Sequence, residues 1–147
     1  MLSPQADWIS YIRDSELFKG FGHIIKDNME DIEPKVFRQR ALIEAKIDIE
    51  ITEDTIKQYL KGLADYLELR IYGGPVIYST HGVGGKPVNQ GFDGFVALVD
   101  SGISISAWVP MKFIAVSIHT CKQFQTDKAV EFTKNFFKAT EIVYKEF

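Results

Sequence analysis

Ser101 and Cys121 are the residues of this 147-residue chain whose types and setting could carry covalent or proton-transfer chemistry. Ser101 sits in Asp100-Ser101-Gly102, between two apolar runs. Cys121 is the single cysteine and follows twenty residues later. A hydroxyl or thiol acts as nucleophile or proton donor only where geometry or a nearby base activates it. His119 precedes Cys121 by two residues, so on a strand the two face one side. Taken singly, each has a plain structural explanation. Asp-Ser-Gly is an ordinary hairpin turn, with glycine free to take positive φ. A lone cysteine is usually a small hydrophobe.

Other chemistries fit poorly. Eight of the eleven glycines fall between Gly73 and Gly102, and Gly82, Gly84, Gly85 and Lys86 suggest a phosphate loop. That motif needs a glycine where Thr80 stands and a Ser or Thr where Pro87 stands. A G-x-G-x-x-G pattern fails at Pro87 as well, which leaves a flexible loop. For a metal, His119 and Cys121 could supply two ligands. His23 and His81 are remote, and no H-x-H or C-x-x-C spacing completes a set, so no metal is expected. Glu44, Asp48 and Glu50 lie on the polar side of one strand and read mainly as solvated surface.

The elements that must position these residues follow from periodicity. Residues 1–37 read as a helical extension. Ser3-Pro4 starts one helix with Trp8, Ile9 and Ile12, a second covers 16–29, and Pro34 ends the segment. Ile43, Ala45, Ile47, Ile49 and Ile51 alternate with polar residues, a strand over 42–51 with one buried face. Thr52 caps a helix over 53–67 whose stripe is Ile56, Tyr59, Leu60, Leu63, Ala64 and Leu67. Strands follow at 69–78, broken by Gly73-Gly74-Pro75, and at 92–99, 103–108 and 113–120. Asp100-Ser101-Gly102 joins the second and third of these. Thr126 caps a last helix over 126–140, and 142–147 adds an edge strand. The order predicts an α+β fold over 38–147. It is a two-layer sandwich, a mostly antiparallel sheet with its helices on one face.

Composition limits the function. Apolar residues make up 46% and the net charge is −3, an ordinary globular balance without the basic footprint of a nucleic-acid or anionic-membrane binder. No apolar run reaches the roughly 18 residues of a membrane span. The N-terminus carries no signal-peptide core, and one cysteine forms no internal disulfide, so a cytoplasmic location is expected.

One stretch resembles a known family. It contains Gly91-Phe92-Asp93-Gly94, an apolar strand, Asp100-Ser101-Gly102, then Trp108 and Pro110. It ends in a strand closing on His119-Thr120-Cys121 before a helix. This pattern is similar to the small prokaryotic S-adenosylmethionine decarboxylases, the pyruvoyl enzymes of spermidine synthesis. Their pattern is a G-x-S-G turn, an acidic-Ser-His junction, I-H-T-W-P, and a strand ending F-T-C. The spacing from Ser101 to Cys121 agrees, and the resemblance covers about residues 41–140.

The resemblance implies a reaction and its residues. The serine hydroxyl attacks the preceding carbonyl, the peptide becomes an ester, and elimination and hydrolysis leave an N-terminal pyruvoyl group. That group is an electron sink when carbon dioxide leaves the substrate, and a cysteine returns the proton. By position, Ser101 is the pyruvoyl precursor, Asp100 precedes the cut, and Cys121 is the proton donor. Asp93, Ser106 and Gly102 stand where the family has the turn serine, the processing histidine and the junction histidine. His119 and Trp108 are candidate pocket residues, and Asp93, expected close to the junction, would favour a cationic ligand. The implied partners are a small-molecule substrate and a second copy of the chain.

Three functional readings result. One is a pyruvoyl-dependent decarboxylase of polyamine biosynthesis, acting on S-adenosylmethionine or a related amino acid such as ornithine or arginine. The second is an unprocessed homologue that binds S-adenosylmethionine or another cationic amine without catalysis. The third is an unrelated α+β interaction domain. Because Ser106 and Asp93 replace the processing groups, the bond between Asp100 and Ser101 is expected to stay intact.

Overall fold

A computed structural model describes residues 31–147. The two helices expected before residue 30 lie outside the described residues, and residues 35–147 form one unit. Its elements are β1 (Gln39–Lys46), α1 (Glu53–Tyr66), β2 (Ile71–Ser79), a short 3-10 turn (Pro87–Asn89), β3 (Gly91–Leu98), β4 (Ser101–Trp108), β5 (Phe113–Thr120), α2 (Thr126–Phe137) and β6 (Glu141–Glu146). The six strands form one sheet in the order β2-β3-β4-β5-β1-β6, and every neighbouring pair is antiparallel. Helices and sheet make the α+β two-layer arrangement expected from the periodicity.

Alternation decides which face of the sheet is buried. Ile43, Val96, Ile103, Ile105, Ile114, Val116 and Ile118 all point to one side and are almost fully buried. They meet Ile56, Leu60 and Leu63 of α1 and Phe137 of α2. Burying side chains of this size contributes about 1.5–3 kcal/mol each, which makes this layer the main source of stability.

Several expected boundaries and one cap differ. β1 runs over 39–46 rather than 42–51. The alternating pattern continues, with Ile47 and Ile51 buried, but the partner strand runs out. Lys46 faces Phe113, the first residue of β5, and one further bond joins Ile47 N–H to the Lys112 carbonyl at 3.0 Å. A period-2 pattern records an extended chain with one wet side, whether or not a neighbour completes the ladder.

Thr126 does not cap α2. Gln125 occupies the cap position without a side-chain bond. The Thr126 hydroxyl instead donates to the Glu146 carboxylate of β6. The helix entry is held from β1, where the buried Gln39 amide donates to the Phe124 carbonyl at 2.9 Å and accepts from Phe124 N–H at 3.0 Å. α2 then stops at Phe137, because Lys138 takes a left-handed conformation with φ 49°. Thr52 caps α1 as expected, bonded reciprocally to Thr55.

β2 is an edge strand. Its Gly73-Gly74-Pro75 segment shifts the register against β3 twice. Proline has no N–H to offer a neighbour and belongs on such an edge.

α1 and α2 meet through rings. Tyr59 lies 4.6 Å from Phe137 and 5.3 Å from Phe136 between centroids. Its hydroxyl is 2.8 Å from that of Thr133, whose own proton goes to the Ala129 carbonyl at 2.7 Å. Tyr59 is therefore the donor. Burial pushes its phenol well above the ordinary range. The unfolded chain releases that proton near pH 10 while the folded chain keeps it, so stability falls as pH rises above about 10. Tyr59→Phe is expected to flatten that alkaline slope and to cost about 1 kcal/mol at neutral pH, measured by urea melts across pH.

Among the described residues, no helix is long and apolar enough to cross a membrane.

Candidate active site

The junction is a tight hairpin. β3 turns into β4 through Val99 and Asp100 alone, and Leu98 pairs with Ser101. Ser101 and Gly102, expected in the turn, are the first residues of β4. The turn is docked from outside, since Val99 N–H donates to the Arg70 carbonyl at 2.9 Å.

β5 then returns beside β4, with Thr120 opposite Ser101 and His119 opposite Gly102. One residue further, Cys121 N–H donates to the Asp100 carbonyl at 2.9 Å, and the Cys121 thiol lies 3.6 Å from the same oxygen. Antiparallel pairing thus brings Asp100, Ser101 and Cys121 together across twenty residues of sequence. Two donors converge on the carbonyl that precedes Ser101. Donors placed on a carbonyl oxygen stabilise negative charge that develops there when the carbon is attacked.

Ser101 has φ 122°, a conformation that side-chain-bearing residues rarely adopt. Such strain costs about 1–3 kcal/mol and persists only where surrounding structure imposes it. Here the imposing structure is a two-residue turn pinned by Arg70 and Cys121.

Gly102 is buried, and the space beside it is taken. A Cβ at this position would meet the Phe95 ring at 2.6 Å and the Val96 carbonyl at 3.2 Å. No sequence motif singles out Phe95, although its place two residues after Asp93 on one strand puts both on the helix-free face.

Asp93 and Ser106 pair across β3 and β4, and the Ser106 hydroxyl donates to the Asp93 carboxylate at 2.6 Å. They lie five register steps from the Leu98–Ser101 pair, about 17 Å along the strand. The structure therefore does not place Asp93 beside the junction within one chain. The strand that leads into the junction is long, and Asp93 is near its far end.

Trp108 sits with this distant pair. Its ring is 5.3 Å from Phe113, and it lines a cavity of about 260 Å³ with Thr80, Asn89, Phe92, Asp93 and Ser106. Thr80 holds the rim, accepting from Gly91 N–H at 2.7 Å and donating to the Asn89 carbonyl at 3.2 Å. Thr80 and Asn89 carry no sequence signal beyond their nearness to the glycine-rich loop.

His119 is exposed and opposes Gly102 rather than Ser101. Asp48 and Glu50 line a separate cavity of about 300 Å³ with Val109 and Lys112. There Lys112 pairs with Asp48 at 3.4 Å, both well exposed, a contact worth little. Among the described residues, no cluster of three or more His, Cys, Asp or Glu is placed to hold a metal ion.

Comparison with solved structures matches the adenosylmethionine decarboxylase from Aquifex aeolicus VF5, with TM-score 0.61 and 21% identity, over 76% of this chain and 89% of that one. That identity speaks to the fold. Curated protein sequences give no match. The family model described as S-adenosylmethionine decarboxylase matches residues 29–147. Both the junction hairpin and the returning β5 strand fall inside that match, and this chain belongs to the S-adenosylmethionine decarboxylase family.

Proposed function

We propose that this chain is a member of its family that keeps the Asp100–Ser101 bond intact and binds S-adenosylmethionine or a related cationic amine. The observation that carries this reading is the Ser106–Asp93 bond. Held on Asp93 about 17 Å along the strand, Ser106 is out of reach of the Cα proton of Ser101 in its own chain. Elimination at that carbon needs a base. His119, the nearest imidazole in sequence, is opposite Gly102.

The second reading is pyruvoyl-dependent decarboxylation in polyamine synthesis. It is favoured by the strained Ser101 backbone and by the two Cys121 donors on the Asp100 carbonyl. Ser101 would be the source of the pyruvoyl group, whose chemistry is to accept electrons as carbon dioxide leaves. Cys121 would deliver a proton at the same point.

A homodimer is part of the proposal. Both helices pack on one face of the sheet. The opposite face carries Phe95, Ser104, Ser106, Trp108, Phe113, Ala115 and Ser117, small or aromatic side chains that suit close packing. A second copy on this face is also the route by which residues at positions 93 and 106 could approach a junction. Residues 1–37 would be an extension outside this core.

Mass spectrometry of the purified protein tests the proposal. One species near 16.7 kDa is expected. Two fragments divided between residues 100 and 101 would instead establish the second reading. Calorimetric titration with S-adenosylmethionine should show binding by the intact chain, and absence of heat counts against it.

A further inference from the structure

The chain leaves the sheet at Cys121. β5 ends at Thr120, opposite Ser101, and Phe124 is the next residue held from another strand, by Gln39. Between these anchors no ladder pairing sets the path. The bend is made by two bonds of Lys122. The buried Thr120 hydroxyl donates to the Lys122 carbonyl at 2.5 Å, and the Lys122 ammonium donates to the Glu68 carbonyl at 2.9 Å.

Glu68 lies in the connector from α1 to β2 and takes a left-handed conformation with φ 56°. The helix end is closed there by Glu68 N–H on the Asp65 carbonyl at 3.0 Å and Leu69 N–H on the Ala64 carbonyl at 2.8 Å. The connector is therefore a firm attachment point. Two residues after Glu68, the Arg70 carbonyl accepts Val99 N–H at the hairpin tip. The tip is held on two sides, at Val99 by the connector and at Asp100 by Cys121, and Lys122 ties the two holders together. An ammonium on a carbonyl is a charge-assisted bond, stronger than a neutral one. Lys122 is the neighbour of Cys121 in the chain but donates to Glu68, so it acts on the thiol through the backbone they share.

We propose that Lys122 is a positioning residue. Its bond to the Glu68 carbonyl, with the Thr120 hydroxyl on its own carbonyl, holds the Cys121 thiol 3.6 Å from the Asp100 carbonyl. Without that tie the bend after Thr120 is free to rotate, and the sulfur turns away from the junction. The proposal concerns the intact chain with no ligand bound. It goes beyond the binding of S-adenosylmethionine and does not depend on it.

The test is the rate at which iodoacetamide alkylates the full-length protein, followed by mass. The single cysteine makes the modified site unambiguous. Alkylation needs the sulfur free of the Asp100 carbonyl, so its rate reads how firmly the thiol is held. Lys122→Met, which keeps the apolar stem, should react about threefold faster than wild type, the low end of what one hydrogen bond holds back. Lys122→Arg, which reaches the same carbonyl, should stay close to wild type. Thr120→Val, which keeps the shape, should also react faster. Lys128→Met, an exposed position on α2, should leave the rate unchanged. Circular dichroism and urea midpoints are measured for each variant.

An unchanged rate in Lys122→Met overturns the proposal. A slower rate overturns it as well, because the ammonium would then be acting on the sulfur as a nearby charge that favours the thiolate. Arginine as fast as methionine at position 122, or an equal rise in Lys128→Met, removes the Glu68 bond as the cause. A rise that follows lost urea midpoint across the variants assigns the effect to unfolding and overturns it too. An unchanged rate in Thr120→Val overturns the part given to that hydroxyl. Titration with S-adenosylmethionine tests the proposed function separately, since absence of heat leaves each of these rates as it stands.

Discussion

Gly91→Ala is expected to destabilise the protein by about 3 kcal/mol, the upper end of what overpacking typically costs, because this site cannot yield. A Cβ at position 91 would stand 1.7 Å from the Ala107 carbonyl oxygen and 2.8 Å from its carbon. Both atoms are backbone of the paired strand, so no rotamer change relieves the contact. Gly91 is also bonded through its N–H and its carbonyl to Thr80, which ties the strand start to the preceding loop. Moving β3 away from β4 to admit a methyl group would break those bonds and disturb the Gly91–Trp108 pairing. Two other glycines calibrate the result. Gly73 has open space around it, and alanine there should fall within about 0.5 kcal/mol of wild type. Gly84 also has open space but φ +82°, so alanine should cost about 1 kcal/mol from backbone strain alone. Urea melts of the three variants measure the ranking. A Gly91→Ala midpoint equal to that of Gly73→Ala would show that β3 and β4 separate more easily than this geometry allows.

Asp93→Ser combined with Ser106→His is expected to convert an intact chain into two fragments, residues 1–100 and 101–147. The double substitution restores the family's turn serine and processing histidine at the positions that match. The junction itself keeps what the first step needs, a strained Ser101 and two donors on the Asp100 carbonyl. On the proposed reading, what it lacks is the base. The separation of about 17 Å sets a further condition, because residues 93 and 106 cannot reach Ser101 of their own chain. Cleavage should therefore occur between copies. Co-expressing a chain that carries Asp93→Ser, Ser106→His and Ser101→Ala with an otherwise unaltered chain should cut the unaltered one. A gel of the mixed sample reads this directly. Cleavage by the double variant alone but not in the mixture would locate the base within one chain. No cleavage in either would mean that the two substitutions are not what keeps the bond intact.

Much of this protein is legible in its amino-acid sequence. The helix α1 follows from the Thr52 cap and the stripe from Ile56 to Leu63, because a helix buries every third or fourth residue whatever it packs against. The buried side of β1 follows from Ile43 and Ala45 for the corresponding reason in a strand. The candidate residues Asp100, Ser101 and Cys121 are visible as residue types at a family spacing. Such local patterns survive in sequence because the chain's own geometry writes them.

The remainder depends on partners. The end of β1 is set by where β5 begins, and the alternation through Ile51 carries no mark of that. Thr126 has the residue type of a cap, but β6 supplies a carboxylate that claims its hydroxyl, while Gln39 from β1 holds the helix entry. The meeting of Cys121 with the Asp100 carbonyl needs antiparallel pairing in one register. A shift of one residue would turn the contact away. The same register carries Asp93 and Ser106 to the opposite end of the hairpin and sets them beside Trp108. Sequence determines which groups exist and which face of each element they occupy. Only the pairing of strands distant in sequence decides which groups share a place, since that contact is made by the sheet and not by any segment alone.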